Sequence, residues 1–285
     1  MFSKDQYELL DFGDGRRLER FGAYVLDRRS RTAEGLDRAD PSLWDQADAR
    51  YFDREPDGGT WRSGKQMPLS WTIRHGKISF ELRLTEFGHV GVFPEHAVNW
   101  DWVSKQVRSA GHPIKLLNLF AYTGAVTMAA AEAGAEVVHV DSAQNTLLWA
   151  RRNTETSGLE DASIRWITED AAKFVRREIK RGNKYDAFVL DPPTYGHGPK
   201  GEVWKIREHL PELLELCTEL AKDELSFIVL SCHTTGYGPQ EMAELMAKTF
   251  PQVDLPAVEA GGLAIKSIDG RHLPLGVAAR WAGKS

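Results

Sequence analysis

Asn118-Leu119-Phe120-Ala121-Tyr122-Thr123-Gly124 decides how this chain is read. An apolar run starting at Lys115 leads into it, and a helical pattern, Ala125–Ala133, leaves it. A strand that turns at once into a helix is the opening half of a β-α-β unit. The rhythm repeats downstream. Strands are predicted at Lys115–Phe120, Glu136–Asp141, Ser163–Thr168, Ala187–Asp191 and Leu225–Ser231. Helices are predicted between and after them, at Ala125–Ala133, Ala143–Ser157, Ala171–Lys180, Leu210–Ala221 and Gln240–Thr249. Such alternation implies a parallel sheet wrapped by right-handed crossovers. Two extended stretches follow, Val253–Glu259 and Leu275–Trp281, with no helix between them. They read as a terminal antiparallel hairpin, giving an α/β fold with a mostly parallel sheet.

Upstream the texture changes. Tyr24-Val25-Leu26 and the alternating run from Trp71 to Leu84 are separated by clusters such as Glu55-Pro56-Asp57-Gly58-Gly59. This pattern predicts small antiparallel strands. We therefore divide the chain into a small β-rich domain, residues 1–95, and an α/β domain, residues 96–285. The acidic stretch Asp37 to Asp53 contains Trp44, Tyr51 and Phe52 but shows no periodicity. Arg16, Arg17, Arg20, Arg28, Arg29 and Arg31 are interleaved with Phe21 and Tyr24. They fit either an RNA-backbone contact with stacking rings or a solvated strand face laced with Glu19 and Asp27; the second is the commoner outcome for a charge run.

Bulk composition excludes several classes. No apolar run reaches the roughly 20 residues of a membrane helix. The first residues lack the apolar core of a secretory signal. Two cysteines, Cys217 and Cys232, do not make a disulfide framework. These features lead us to expect a cytoplasmic protein with no membrane partner. The net charge of -5 lends nucleic-acid binding no support from the whole-molecule field, so any RNA contact needs a local basic patch.

In an open parallel sheet, ligands bind outside the carboxyl ends of the strands. The first strand ends in the quoted turn, where Gly124 permits a tight bend and the next helix offers free amides. The second ends in Asp141, followed by Ser142; a carboxylate there can accept both hydroxyls of a ribose. The third ends at Glu169-Asp170 before Ala171, where Asp170 is placed to take an adenine amino group. The fourth ends in Asp191-Pro192-Pro193-Thr194-Tyr195. A dinucleotide would call for G-x-G-x-x-G to cradle its pyrophosphate. This turn has one glycine and the bulky Phe120 and Tyr122, and the phosphate-loop signature is absent. S-adenosylmethionine, which carries no phosphate, fits better. For Asp141 or Asp170 taken singly, a helix N-cap explains the residue as well.

At this point a resemblance enters. The runs LNLFAYTGAVTMAAAEAGA, VDSAQNTLLWARRN, DPPTYGHG and VLSCH resemble the bacterial large-subunit ribosomal RNA methyltransferases, more closely the branch acting at cytosine C5. Gly91-Val92-Phe93-Pro94-Glu95-His96-Ala97-Val98-Asn99 is similar to that family's segment before the first strand. The likeness covers about residues 80 to 281. It implies a Rossmann-like class I methyltransferase sheet, S-adenosylmethionine as cofactor and ribosomal RNA as substrate. It implies a cofactor site of Asn99, Asn118, Phe120, Ala121, Tyr122, Thr123, Gly124, Asp141, Ser142, Asp170, Ala171, Asp191 and Pro192. Glu95 and Ala97 stand where the family usually has Asp and Arg, and the late motif Ser231-Cys232-His233 lacks the second serine. No RNA-binding module of the PUA type is recognisable in residues 1–95. Guanine-N7 enzymes share the tetrapeptide D-P-P-T, so two enzyme readings stay open: cytosine C5, or a ring nitrogen or amine. A non-catalytic RNA- or partner-binding protein on the same fold is a third.

The catalytic candidates follow from the chemistry. Methylation at C5 needs a nucleophile added at C6, which suits a thiolate. Cys232, at the end of the fifth strand, is expected to face the cofactor crevice; the plain alternative is a buried structural cysteine. Cys217 lies on the apolar face of its helix and reads as core. Asp191 is placed to hold the target base or pair with a protonated ring nitrogen. The two prolines after it fix the backbone and are expected to leave the loop carbonyls open as acceptors. Tyr195 offers a face on which a base can stack. His197 and His233 are candidate acid–base groups by residue type but show no partner in the sequence. No His, Cys and carboxylate spacing marks a metal site.

Overall fold

A computed structural model describes residues 2–54, 58–198, 201–234 and 236–283. Glu55, Pro56 and Asp57 of the expected turn, and the side chain of His197, lie outside the described residues. The chain divides into two compact units: Met1–Ala97 with Ala264–Leu275, and Val98–Leu263 with Gly276–Ser285. The first unit thus includes a short segment from near the C-terminus.

The first unit is built on a five-stranded sheet: β1 (Tyr7–Gly13), β2 (Arg16–Phe21), β3 (Tyr24–Arg29), β4 (Ala49–Asp53) and β5 (Gly59–Ser63), paired in that order. A separate hairpin follows, β6 (Trp71–His75) with β7 (Ile78–Leu82). The acidic stretch Asp37 to Asp53 becomes a 3-10 turn, Pro41–Gln46, that delivers Trp44 into the core, followed by β4. Its indole N–H donates to Asp11 at 2.8 Å. Asp11 is buried and also accepts from the amides of Phe12, Ala39 and Asp40 and from Arg271 Nη2. The charge run is not a solvated face. Arg17, Arg28, Glu19 and Asp27 are all buried. Glu19 accepts from Tyr7 Oη at 2.9 Å and Arg28 Nε at 2.8 Å. A paired buried charge of this kind is costly to break rather than strongly stabilising.

The second unit carries α1 (Ala97–Ser109) and then alternating strands and helices: β8 (Lys115–Leu119), α2 (Ala125–Glu132), β9 (Glu136–Asp141), α3 (Gln144–Thr156), β10 (Ile164–Thr168), α4 (Ala171–Lys180) and β11 (Ala187–Leu190). A small hairpin, β12 (Tyr195–His197) with β13 (Val203–Lys205), precedes α5 (Ile206–Leu220), β14 (Phe227–Cys232) and α6 (Pro239–Thr249). The chain ends with β15 (Glu259–Lys266) and β16 (His272–Ala282). The sheet order is β10-β9-β8-β11-β14-β16-β15. β10 through β14 are parallel, and β16 runs antiparallel to β14. This is the class I methyltransferase arrangement expected from the sequence. β11 and β14 are buried along their whole length, as strands covered by helices on both faces must be. The expected hairpin forms, but its first strand starts at Glu259; Leu255–Ala257 is a 3-10 turn instead. Pro256 supplies no amide for a ladder there.

Candidate functional site

β8 leads to β9 and β10 on one side, whereas β11 pairs with β8 on the other. The sheet's switch point therefore lies between β8 and β11, and the crevice for a ligand opens at their carboxyl ends. Two loops border it, residues 120–124 and 191–194.

The first loop has an unusual backbone. Phe120 (φ 56°) and Tyr122 (φ 51°) both occupy the left-handed region, as does Gly124 (φ 88°). For side chains of this size the conformation costs on the order of 1–2 kcal/mol each, and such strain collects at functional sites. Asp141 holds the loop in place. Its Oδ2 accepts the Tyr122 amide at 2.8 Å and its Oδ1 the Ala143 amide at 2.9 Å. Each oxygen keeps a second lone-pair direction. Burial raises the Asp141 carboxyl above its ordinary value, partly offset by these two amides. Ser142, half-buried, follows directly. A Cβ on Gly124 would lie 3.1 Å from Ala150 Cβ, so the glycine also serves close packing of α3.

Several residues expected at the cofactor are seen in supporting positions. Asn118 is buried, and its amide donates to Thr127 Oγ1 at 2.9 Å. Thr127 shares a further hydrogen bond with His139 Nδ1, also 2.9 Å. Thr123 is buried and its carbonyl accepts from Asn153. Ala121 is buried, and the Phe120 ring packs on Trp204 with centroids 4.8 Å apart. Asn99 is buried in α1 and accepts from Arg280 Nε at 2.8 Å. Asp170 caps α4 by accepting the Lys173 amide at 2.9 Å, with Ala171 buried beside it.

The second loop carries the reactive-looking groups. Asp191 is partly exposed and accepts from Ser231 Oγ at 2.8 Å. His233 Nδ1 lies 3.9 Å from the same carboxylate, so this histidine does have a partner. Pro192 is buried. The loop carbonyls are less open than expected: Trp204 Nε1 donates to that of Pro193 at 2.7 Å, and the Ile206 amide to that of Thr194. Thr194 and Thr234 hydroxyls bond at 2.7 Å. Tyr195, 56% exposed, presents its ring at the edge of the β12–β13 hairpin.

Cys232 corrects an expectation. Its side chain is not open to solvent at the crevice. It is fully buried, with Sγ 3.9 Å from Met242 Sδ in the core under α6. Burial raises its thiol above the ordinary value, and the nearby Asp191 adds to this. The reason is the two-residue period of a strand: neighbours point to opposite faces, and Ser231 takes the side of Asp191. Ser231 and the hairpin that anchors the second loop were missed from the sequence. Alternation along Phe227–Cys232 was the signal for the serine.

A family model described as S-adenosylmethionine-dependent methyltransferase matches residues 29–253. The chain belongs to this family. A solved SAM-dependent methyltransferase from Agrobacterium tumefaciens superposes with a TM-score of 0.92 at 38% identity, covering 98% of this chain and 91% of that one. A methyltransferase solved with SAH has the same fold, with TM-score 0.74 at 18% identity over 98% of this chain and 76% of that one. Among curated relatives, the ribosomal RNA large subunit methyltransferase I of Aeromonas hydrophila is 42% identical over 82 residues, 28% of this chain and 21% of the relative. The K/L enzyme of Shewanella woodyi is 27% identical over 207 residues, 72% of this chain and 26% of the relative. The chain thus spans about a quarter of the length of these curated relatives. Its cofactor is S-adenosylmethionine. The crevice suits that ligand: the Asp141 carboxylate has spare acceptor capacity for a ribose diol, and the left-handed loop brings main chain, not a glycine-lined phosphate cradle, to its rim.

Proposed function

We propose that the chain methylates a ring nitrogen or exocyclic amine of an RNA base, with ribosomal RNA as the substrate. The observation that carries this reading is the division of labour at the end of β14 and β11. The carboxylate of Asp191 stands at the crevice, while the thiol of Cys232 is sealed in the core. The names of the curated relatives support the choice of RNA.

Asp141, the main chain of residues 120–124, Asp170 and Asp191-Pro192 would hold S-adenosylmethionine. Bound there, it supplies an electrophilic methyl group. Asp191 accepts a hydrogen bond from an amine target, or lies against a ring-nitrogen target, and stabilises the positive charge that develops there. Ser231 orients that carboxylate. Where the target is an amine, His233, 3.9 Å away, is the group placed to take up the proton it releases after methylation. Tyr195 offers its exposed ring for stacking of a base taken out of its helix. A C5 mechanism would instead require Cys232 to leave the core and ionise against the effect of burial.

The test compares Cys232→Ala with Asp191→Asn on protein-free and particle-bound ribosomal RNA. The nitrogen reading expects near-normal turnover from the cysteine variant and loss of on the order of a hundredfold or more from the aspartate variant. Inactive Cys232→Ala with intact cofactor affinity, together with a covalent adduct on 5-fluorocytosine RNA, would establish the C5 mechanism instead. Mass spectrometry of nucleosides from a deletion strain names the modified base.

A further inference from the structure

The first unit contains a cavity of about 380 Å³ that the methyl-transfer chemistry does not use. Arg17, Arg28, Arg29 and Arg31 line it, with Phe87 and His89 at its other side. We propose that this cavity binds the phosphate backbone of the RNA substrate, one nucleotide being held by the arginines and its base stacked on Phe87. The proposal rests on the RNA reading given above and extends it to a substrate-binding site in the first unit.

Burial, pairing and shape carry the argument. Arg17 and Arg28 are only 8% and 3% exposed, so their guanidinium groups are fixed rather than sweeping through solvent. Glu19, fully buried, stands behind both, 3.2 Å from Arg17 Nε and 2.6 Å from Arg28 Nη2. Glu95, also buried, adds a second negative charge that acts on Arg17. Arg17 Nη1 finds no hydrogen-bond acceptor among the described residues. A buried cationic donor left without an acceptor is costly, and a phosphate oxygen is the acceptor whose geometry a guanidinium fork matches best. Asp53 is the one carboxylate among the described lining residues, and it is engaged by Arg29 Nη1 at 2.8 Å. Four arginines and a single carboxylate thus line the cavity, although the whole molecule is acidic. This is the local basic patch that RNA binding by such a chain requires.

The aromatic side fits the same ligand. Phe87 is 62% exposed, a large apolar ring left facing water. It sits on a turn that Arg28 Nη1 clamps by donating to the Gly88 carbonyl at 3.2 Å. Gly88 (φ 75°) lies so close to Tyr51 that a Cβ there would come within 2.8 Å of that ring. The turn is thus held against the cavity, with its ring beside the cationic wall. A fixed cationic groove with an adjacent ring is how single-stranded nucleic acid is gripped without reading sequence. The volume matches the range of small-ligand sites and accommodates one nucleotide rather than a duplex.

The test uses the full chain, saturated with S-adenosylmethionine, and a short fluorescein-labelled single-stranded RNA. Affinity is measured by anisotropy across a salt series. Phe87→Ala should weaken binding about tenfold at fixed salt, the scale of one lost stacking contact. Arg31→Gln should reduce the slope of log affinity against log salt by about 0.7, the value for one phosphate contact on a single strand. Both positions are exposed, and calorimetric affinity for the cofactor should stay at the wild-type value in each variant. If the wild type binds RNA with a steep salt dependence and both variants behave identically to it, the cavity is not the RNA site. If the wild type itself binds no RNA, the RNA reading falls, and this site with it.

Discussion

Lowering the pH from 7 to 5 loads His139 in the unfolded chain but not in the folded one. His139 is completely buried, its ring 4.7 Å from that of Trp166 and its Nδ1 bonded to Thr127. Its Nε2 has no hydrogen-bond partner among the described residues. Burial pushes its pKa from 6.5 down to about 3. Below pH 6.5 the unfolded chain therefore takes up a proton that the folded chain refuses. Stability from this residue is fully present above pH 6.5 and is lost as the pH falls toward 3. The loss is about 1.4 kcal/mol per pH unit, hence about 2 kcal/mol at pH 5. Urea unfolding at pH 7 and pH 5 measures it, with His139→Asn as the reference. Asparagine places a polar group where Nδ1 stands but does not titrate. The wild type should lose about 2 kcal/mol more than the variant between the two pH values. Equal losses would show that the ring is not held neutral, and would undo the account of the Asn118–Thr127–His139 chain beneath the crevice.

Other expectations are more direct. Asp141→Ala should weaken S-adenosylmethionine binding by about 1–3 kcal/mol, the range for hydrogen bonds to a charged group; unchanged affinity by calorimetry in a folded variant would remove Asp141 from the site. Gly124→Ala forces a left-handed alanine and a Cβ 3.1 Å from Ala150 Cβ, and should cost about 2 kcal/mol in urea unfolding; a neutral effect would mean that the loop relaxes freely. Cys217 and Cys232 are both buried with raised thiols, so neither should react with Ellman's reagent at pH 8 until the chain unfolds. Rapid native labelling of Cys232 would reopen its role as a nucleophile.

The α/β fold was legible because parallel strands buried on both faces write themselves as short apolar runs. Glu136–Asp141 and Ala171–Lys180 have the predicted bounds in the structure. Helix α1 was not read, since Ala97–Ser109 is interrupted by polar residues and two tryptophans that obscure its period. The β12–β13 hairpin was not read either, because three-residue strands lie below what alternation can reveal. At the candidate site the strand-end carboxylates were found, since position along a strand is a sequence property. Which way each side chain turns was not. Asn118, Asn99 and Cys232 sit at the expected places along the chain, yet each points into packing decided by distant partners: Thr127, Arg280 and Met242. The burial of Arg17 and Arg28 was hidden for the same reason, because a run of charge says nothing about the sheet folded over it.

The segment Ala264–Leu275 belongs to the first unit, where Leu273 packs with Leu9 and Phe12 and Arg271 reaches Asp11. Synthesis on the ribosome proceeds from the N-terminus, and a contiguous leading domain folds as it emerges. This one cannot finish that way. Its carboxylate at Asp11 waits for an arginine translated 260 residues later. The β-rich unit must therefore remain incomplete while Val98–Leu263 of the α/β unit is made, and a fragment cut after Ala97 should fail to fold cooperatively. Any attempt to exchange this unit between relatives has to transplant two separated pieces of chain together.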